Sequence, residues 1–104
     1  MSSPARVGAI AGETAQGAAL DARPRVGSRF RLQWEEAQQA WVLLFPEGMV
    51  RLNGAASEIV RRCDGQRSVR EIVEDLQAAF GQPDLRADVL SFLDIARGRH
   101  WIEG

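Results

Sequence analysis

The sequence predicts an α+β domain in which a three-stranded antiparallel sheet is followed by three helices, an architecture resembling a winged helix-turn-helix. Three observations carry this expectation. Apolar and polar residues alternate at a period of two from Arg29 to Trp34, and an apolar run of strand length with a Pro-Glu-Gly turn comes next. From Asn53 onward the apolar spacing lengthens to that of a helix. A chain of 104 residues supports one modest core, so a deep enzyme cleft is not expected.

Each element has its own signal. Phe30, Leu32 and Trp34 form the apolar side of strand one, and Glu35 to Gln39 make a polar loop. Trp41 to Phe45 is apolar on both faces, as expected of a strand covered on both sides. Pro46-Glu47-Gly48 turns the chain into a third strand over Met49 to Leu52, whose outer side is a candidate sheet edge. Asn53 is a good N-cap for the first helix, with Ala56, Ile59, Val60 and Cys63 on its apolar stripe and Gly65 closing it. Ser68 and Glu71 match a capping box ahead of Val69, Ile72, Val73, Leu76 and Phe80, and Gly81 and Pro83 end that second helix. Asp84 is read as the cap of a third helix with Leu85, Val89, Phe92, Leu93 and Ala96 on its stripe, ending near Gly98. An apolar tail, His100 to Ile102, follows. The first 26 residues are rich in Ala, Gly, Ser and Arg without either period. They are expected to be disordered, and the domain is drawn over residues 27–104.

Composition narrows the chemistry. Thirteen basic residues, all Arg, stand against fourteen acidic ones, and a formal charge of −1 offers no general attraction to nucleic acid or anionic lipid. No apolar run is long enough to span a bilayer, and a lone cysteine fits a reducing cytoplasm. One Cys and one His do not make a structural zinc site, and no glycine pattern cradles a phosphate, so no metal or cofactor is expected. Cys63 lies on an apolar stripe and reads as packing, while His100 has neither nucleophile nor orienting group beside it. Glu58 to Arg62 and Arg67 to Glu71 are each four residues apart, spaced for local ion pairs that would absorb much of the basic charge.

What remains is an edge strand beside an amphipathic helix. Unpaired N–H and C=O groups on an edge can accept an extended peptide as an added strand, with nearby apolar side chains giving selectivity. Met49, Val50, Arg51 and Leu52 are the candidate edge. Val89, Phe92 and Leu93 are candidates for the facing wall, and Arg51 or Arg97 for a peptide carboxylate. Proline at Val50 is expected to weaken binding if its N–H faces the guest. The same edge could accept a second copy of the chain and form a homodimer.

The stretch Phe30-Arg31-Leu32-Gln33-Trp34-Glu35, then Trp41 through Asn53, resembles the PqqD family of pyrroloquinoline quinone biosynthesis. Ala56, Glu58-Ile59, Cys63-Asp64-Gly65, Ser68-Val69 and Glu71-Ile72 continue the likeness, which spans roughly Arg29 to Ile102. The resemblance implies a RiPP recognition element: a non-catalytic, winged-helix-like domain that captures the precursor peptide PqqA and presents it to the radical SAM enzyme PqqE. It implies a guest strand along Met49 to Leu52 against the third helix, where Val89, Phe92, Leu93 and Arg97 match the family less closely. The iron-sulfur chemistry would belong to the partner. A rival reading with the same architecture is a winged-helix transcriptional regulator, which the acids Glu71, Glu74, Asp75, Asp88 and Asp94 on the candidate recognition helices argue against.

Overall fold

The computed structural model describes residues 17–104. Residues 17–21 are helical (α1). Then come β1 (Arg25–Val26), β2 (Arg31–Glu35), β3 (Ala40–Phe45), β4 (Gly48–Arg51), α2 (Gly54–Val60), α3 (Val69–Phe80), α4 (Arg86–Gly98) and β5 (Ile102–Glu103). The three expected strands are β2, β3 and β4, joined in that order as an antiparallel meander. The three expected helices are α2, α3 and α4, so the α+β reading holds.

The pleat puts Leu32, Trp41, Leu43, Val50 and Leu52 toward the helices, and Arg31, Gln33, Val42, Leu44, Met49 and Arg51 on the outer face. Leu43 joins Leu52, Ile59, Val60, Ile72, Leu93 and Ile102 in one buried cluster. Val42 and Leu43 both have 0% exposure, as the doubly apolar run of β3 predicts. Each of the three larger helices contributes one stripe to that cluster: Ile59 and Val60 from α2, Ile72 and Leu76 from α3, Val89, Leu93 and Ala96 from α4.

Helix ends follow local chemistry in three cases and depart from it in two. The Asn53 carboxamide oxygen accepts the Ala56 N–H at 2.8 Å, and Ser68 and Glu71 close a reciprocal capping box. Gly81 ends α3 at φ 63°, a left-handed conformation natural to glycine. Asp84, however, does not cap α4. Leu85 holds that position without a side-chain bond, and its own N–H donates to Gln77 Oε1 at 3.1 Å. Nor does Gly65 close α2, which ends at Val60. Gly65 lies beyond, where its N–H donates to the Pro24 carbonyl at 2.9 Å.

The expected domain start at residue 27 is too late. Leu20 is 5% exposed and part of the core, and β1 pairs antiparallel with β5. The Val69 N–H donates to the Ala22 carbonyl at 2.8 Å, and the Gly27 N–H to the Trp101 carbonyl at 2.7 Å. Residues 20–27 thus strap the chain's C-terminal strand and the α2–α3 connection together. A Cβ at Gly27 would lie 2.2 Å from the His100 carbonyl oxygen, so only glycine permits this approach. Residues 1–16 of the expected leader lie outside the described residues.

Ion pairs lock the helices. Arg62 bonds Glu58 at 2.8 Å and Asp75 at 2.5 Å, tying α2 to α3. The expected Arg67–Glu71 pair does not form, because Glu71 accepts the Ser68 N–H at 2.8 Å. Arg67 turns instead toward Asp64 and Asp75. Four carboxyls are held below their ordinary range: Asp75 by Arg62, Glu71 and Glu103 by the backbone N–H groups of Ser68 and Ser28, and Asp64 by those of Arg67 and Gln66. As pH falls, the unfolded chain takes up these protons first, so stability present at neutral pH is lost through and below about pH 4. Thermal melts between pH 7 and pH 3 should show Tm falling in that window, and a flat profile there would contradict the assignment.

Candidate functional site

β4 is the last strand of its sheet, so one of its sides is open. Which backbone groups face that side follows from the register. Val42 pairs with Arg51, Leu43 with Val50, Leu44 with Met49 and Phe45 with Gly48. The Leu52 N–H donates to the Trp41 carbonyl at 2.9 Å. Bonded and non-bonded pairs alternate along an antiparallel ladder, so Val50 also bonds β3, while Met49 and Arg51 turn their N–H and C=O groups outward. The expectation placed on the Val50 N–H is therefore corrected: the open donors belong to Met49 and Arg51.

Side chains on this strand alternate in the same way. Met49 is 46% exposed and Arg51 is exposed, on the outer face. Val50 is half-buried against the core and Leu52 is buried within it. Among the described residues Arg51 has no ion-pair partner, whereas the Arg97 guanidinium donates to the Gly104 carbonyl at 2.9 Å. Of the two arginines expected to meet a peptide carboxylate, Arg51 is the uncommitted one.

The facing wall is less open than its stripe suggests. Leu93 has 0% and Val89 2% exposure, both as core residues of α4, and only Phe92 is half-buried at the core's rim. α4 packs most closely on α3 and β5. A solvent-facing cleft of about 400 Å³ does reach Val89, however, between α2, α3 and α4. Buried Ile59, Leu76 and Val89 lie at its base, with partly buried Leu85 and Phe80, which is 51% exposed, alongside. Helical periodicity identified these residues as apolar but could not tell which ones line a cleft, because that depends on how three helix ends meet. The signal available was Phe80, the last apolar residue of its stripe, next to the Gly81 that stops the helix.

At the other side of the α2 start lies a second, more polar cleft. Trp34 and Trp41 meet edge to face with centroids 5.7 Å apart, and the Arg61 guanidinium sits 4.9 Å from the Trp41 ring. The Trp34 indole N–H is already engaged by Glu36 at 2.8 Å.

Burial pushes the Cys63 thiol up to about 12, which leaves it protonated and inert at neutral pH. Among the described residues no three His, Cys, Asp or Glu side chains are grouped to hold a metal, and no helix is long and apolar enough to cross a membrane. Arg61, Arg62, Arg67 and Arg70 are each within ion-pair distance of an acid, which removes the basic helix face that a phosphate backbone would need.

The family model described as coenzyme PQQ synthesis protein D (PqqD) matches residues 40–102, more than half of the chain. The chain belongs to the PqqD family. The match begins at β3 and ends on the first residue of β5, so it includes the β4 edge and all of α2, α3 and α4. A relative from Azotobacter vinelandii, named PqqA binding protein, is 49% identical over 81 residues, covering 77% of this chain and 88% of its own. Another of the same name, from Pseudomonas aeruginosa, is 46% identical over 85 residues, covering 81% and 92%. The solution NMR structure of the PqqD truncation of Methylobacterium extorquens PqqCD superposes with a TM-score of 0.64 at 27% identity, covering 78% of this chain and 88% of that one. That protein is described as a functional, stand-alone recognition element for ribosomally synthesized and post-translationally modified peptides.

Proposed function

We propose that this chain is a non-catalytic adaptor of pyrroloquinoline quinone biosynthesis that binds the precursor peptide PqqA by strand addition and presents it to the radical SAM enzyme PqqE. The observation that carries the reading is the open side of β4, where Met49 and Arg51 offer N–H and C=O groups in the alternating pattern that an added strand needs. Two relatives named PqqA binding protein support PqqA as the guest.

Backbone pairing at Met49 and Arg51 is independent of the guest's sequence, so it supplies affinity and a straight track rather than choice. Selectivity falls to side chains flanking the track: Arg51 for a carboxylate, and Phe92 at the rim of α4 for apolar contact. Holding a flexible substrate extended on a rigid sheet lowers the ordering that the partner enzyme must impose, and the bound peptide is delivered at raised local concentration. The chain's own residues then need only bind and orient. The same edge is where a second copy of the chain would pair, so peptide and homodimer compete for one surface.

Titration of labelled PqqA into the purified protein, with and without PqqE, should give saturable binding, with amide NMR shifts concentrated on Gly48 to Leu52. No saturable binding in either condition, or shifts confined to another face, would overturn the reading.

A further inference from the structure

The sheet has a second open edge. β2 is the terminal strand opposite β4, and among the described residues no strand lies on its other side. The Leu52 N–H donates to the Trp41 carbonyl, so Trp41 and Leu43 turn their backbone groups toward β4, while Val42 and Leu44 turn theirs toward β2. Their partners Gln33 and Arg31 are thereby bonded to β3. Leu32 and Trp34 face the open side with N–H and C=O groups that no bond outside the sheet engages among the described residues. The edge is also unguarded: β2 runs Arg-Leu-Gln-Trp-Glu in unbroken register, with neither a proline nor a bulge. Trp34 lies on the helix-facing side of the sheet yet is 41% exposed, so the helical layer stops short of this edge.

The side chains of β2 complement their own copy. Pairing two such strands antiparallel about Gln33 sets Leu32 of each against Trp34 of the other, which are the residues with outward backbone groups. On the opposite face of the sheet the same register sets Arg31 of each copy against Glu35 of the other, in the closer, non-bonded pairs. Neither Arg31 nor Glu35 has an ion-pair partner among the described residues: Arg31 donates to Gln33 on its own strand at 3.2 Å, and Glu35 accepts the Ala37 N–H at 3.3 Å. Gln33 meets Gln33 on the axis, where each carboxamide can donate to and accept from the other. β4, with the sequence Gly-Met-Val-Arg, holds no acid to set against Arg51, so the side chains favour β2 for a second copy.

We propose that β2 is the seam of a homodimer, joined antiparallel to β2 of a second copy about a two-fold axis at Gln33. Hydrogen-bond parity, apolar pairing and charge all select this one register. The joined sheet runs β4-β3-β2-β2-β3-β4 and leaves an open β4 at each end, so a copy on β2 does not compete with a guest on β4. The seam itself does not depend on the strand-addition reading, because it uses no residue of β4.

Sedimentation velocity on the full chain over a range of concentrations is the test. The mass should rise from that of one chain toward that of two, and added salt should weaken the association. Arg31→Glu places like charges opposite one another in both pairs, as does Glu35→Arg, and each alone should weaken self-association by about tenfold or more. An equimolar mixture of the two single variants should associate again, because every opposed pair is then of opposite sign, and the Arg31→Glu/Glu35→Arg chain should do so by itself. Both side chains sit at the surface, so circular dichroism should be unchanged. A chain that stays monomeric up to about 1 mM overturns the seam. So does a dimer indifferent to both single substitutions, or a mixture that fails to re-associate. Saturating PqqA should leave the dimer intact. A peptide that dissolves it would place the dimer on β4 and overturn the seam, whereas a peptide that does not bind at all would overturn strand addition and leave the charge-swap result standing.

Discussion

A Met49→Pro chain should fold and release PqqA, whereas Val50→Pro should damage the fold itself. The two positions are neighbours on one strand, yet their N–H groups point in opposite directions. The Val50 N–H faces β3 in the ladder that continues to the Leu52–Trp41 bond, and the Met49 N–H faces the open side. Proline at Val50 leaves the Leu43 carbonyl without its partner in a strand that is fully buried there, at a cost of about 1–3 kcal/mol before any steric clash. Proline at Met49 removes only a donor that the free protein leaves to water, which edge strands tolerate. For the guest the consequence is reversed, since the ring occupies the track and removes one of its bonds. PqqA affinity should fall by at least about tenfold in Met49→Pro with an unchanged melting temperature. Isothermal titration paired with thermal melts checks both arms. Equal binding by Met49→Pro and the unaltered chain would place the guest elsewhere.

Leu93→Ala should be among the most destabilising single changes available, at about 2–5 kcal/mol. Leu93 has no exposed surface and sits in the cluster with Leu43, Ile72 and Ile102, where α4 closes over the sheet and α3. Truncation opens a cavity that these rigid neighbours cannot collapse into. In a domain of this size a loss of 1 kcal/mol lowers Tm by roughly 4–8 °C, so a drop well over 8 °C is expected by calorimetry. The fraction that remains folded should bind PqqA with near-normal affinity, because Leu93 supports the α4 wall from behind. A near-normal Tm with lost peptide binding would instead make it a contact residue.

These two outcomes separate what a stripe of apolar residues can and cannot say. Val89, Phe92 and Leu93 share one helix face and one spacing, and on sequence grounds they are equivalent. In the fold two are sealed in the core and one stands at its rim, a difference set by where α3 and β5 meet α4 rather than by any property of the three side chains. Arg51 and Arg97 diverge for the same reason: the first lies on an open strand, and the second is drawn to the Gly104 carbonyl by the path of the chain's end. The capping prediction at Asp84 failed because the helix begins one residue later than read, with Leu85 at the cap position and its N–H held by Gln77 Oε1 from α3.

By itself the sequence determined the order of three strands and three helices, the caps at Asn53 and Ser68, the left-handed stop at Gly81, and membership of a family through the run from β3 to β4. Each of these depends on interactions among residues close in the chain, or on a letter pattern that survives without coordinates. Only the tertiary structure decided that residues 20–27 belong to the fold, that Met49 and Arg51 rather than Val50 present the open hydrogen-bonding groups, and that three helix ends leave an apolar cleft between one another. Those facts come from contacts between segments tens of residues apart and from a two-residue hairpin that sets the parity of the ladder. Alternation along a strand states that neighbours point opposite ways, but the side that meets a guest is assigned only when one strand is docked against another.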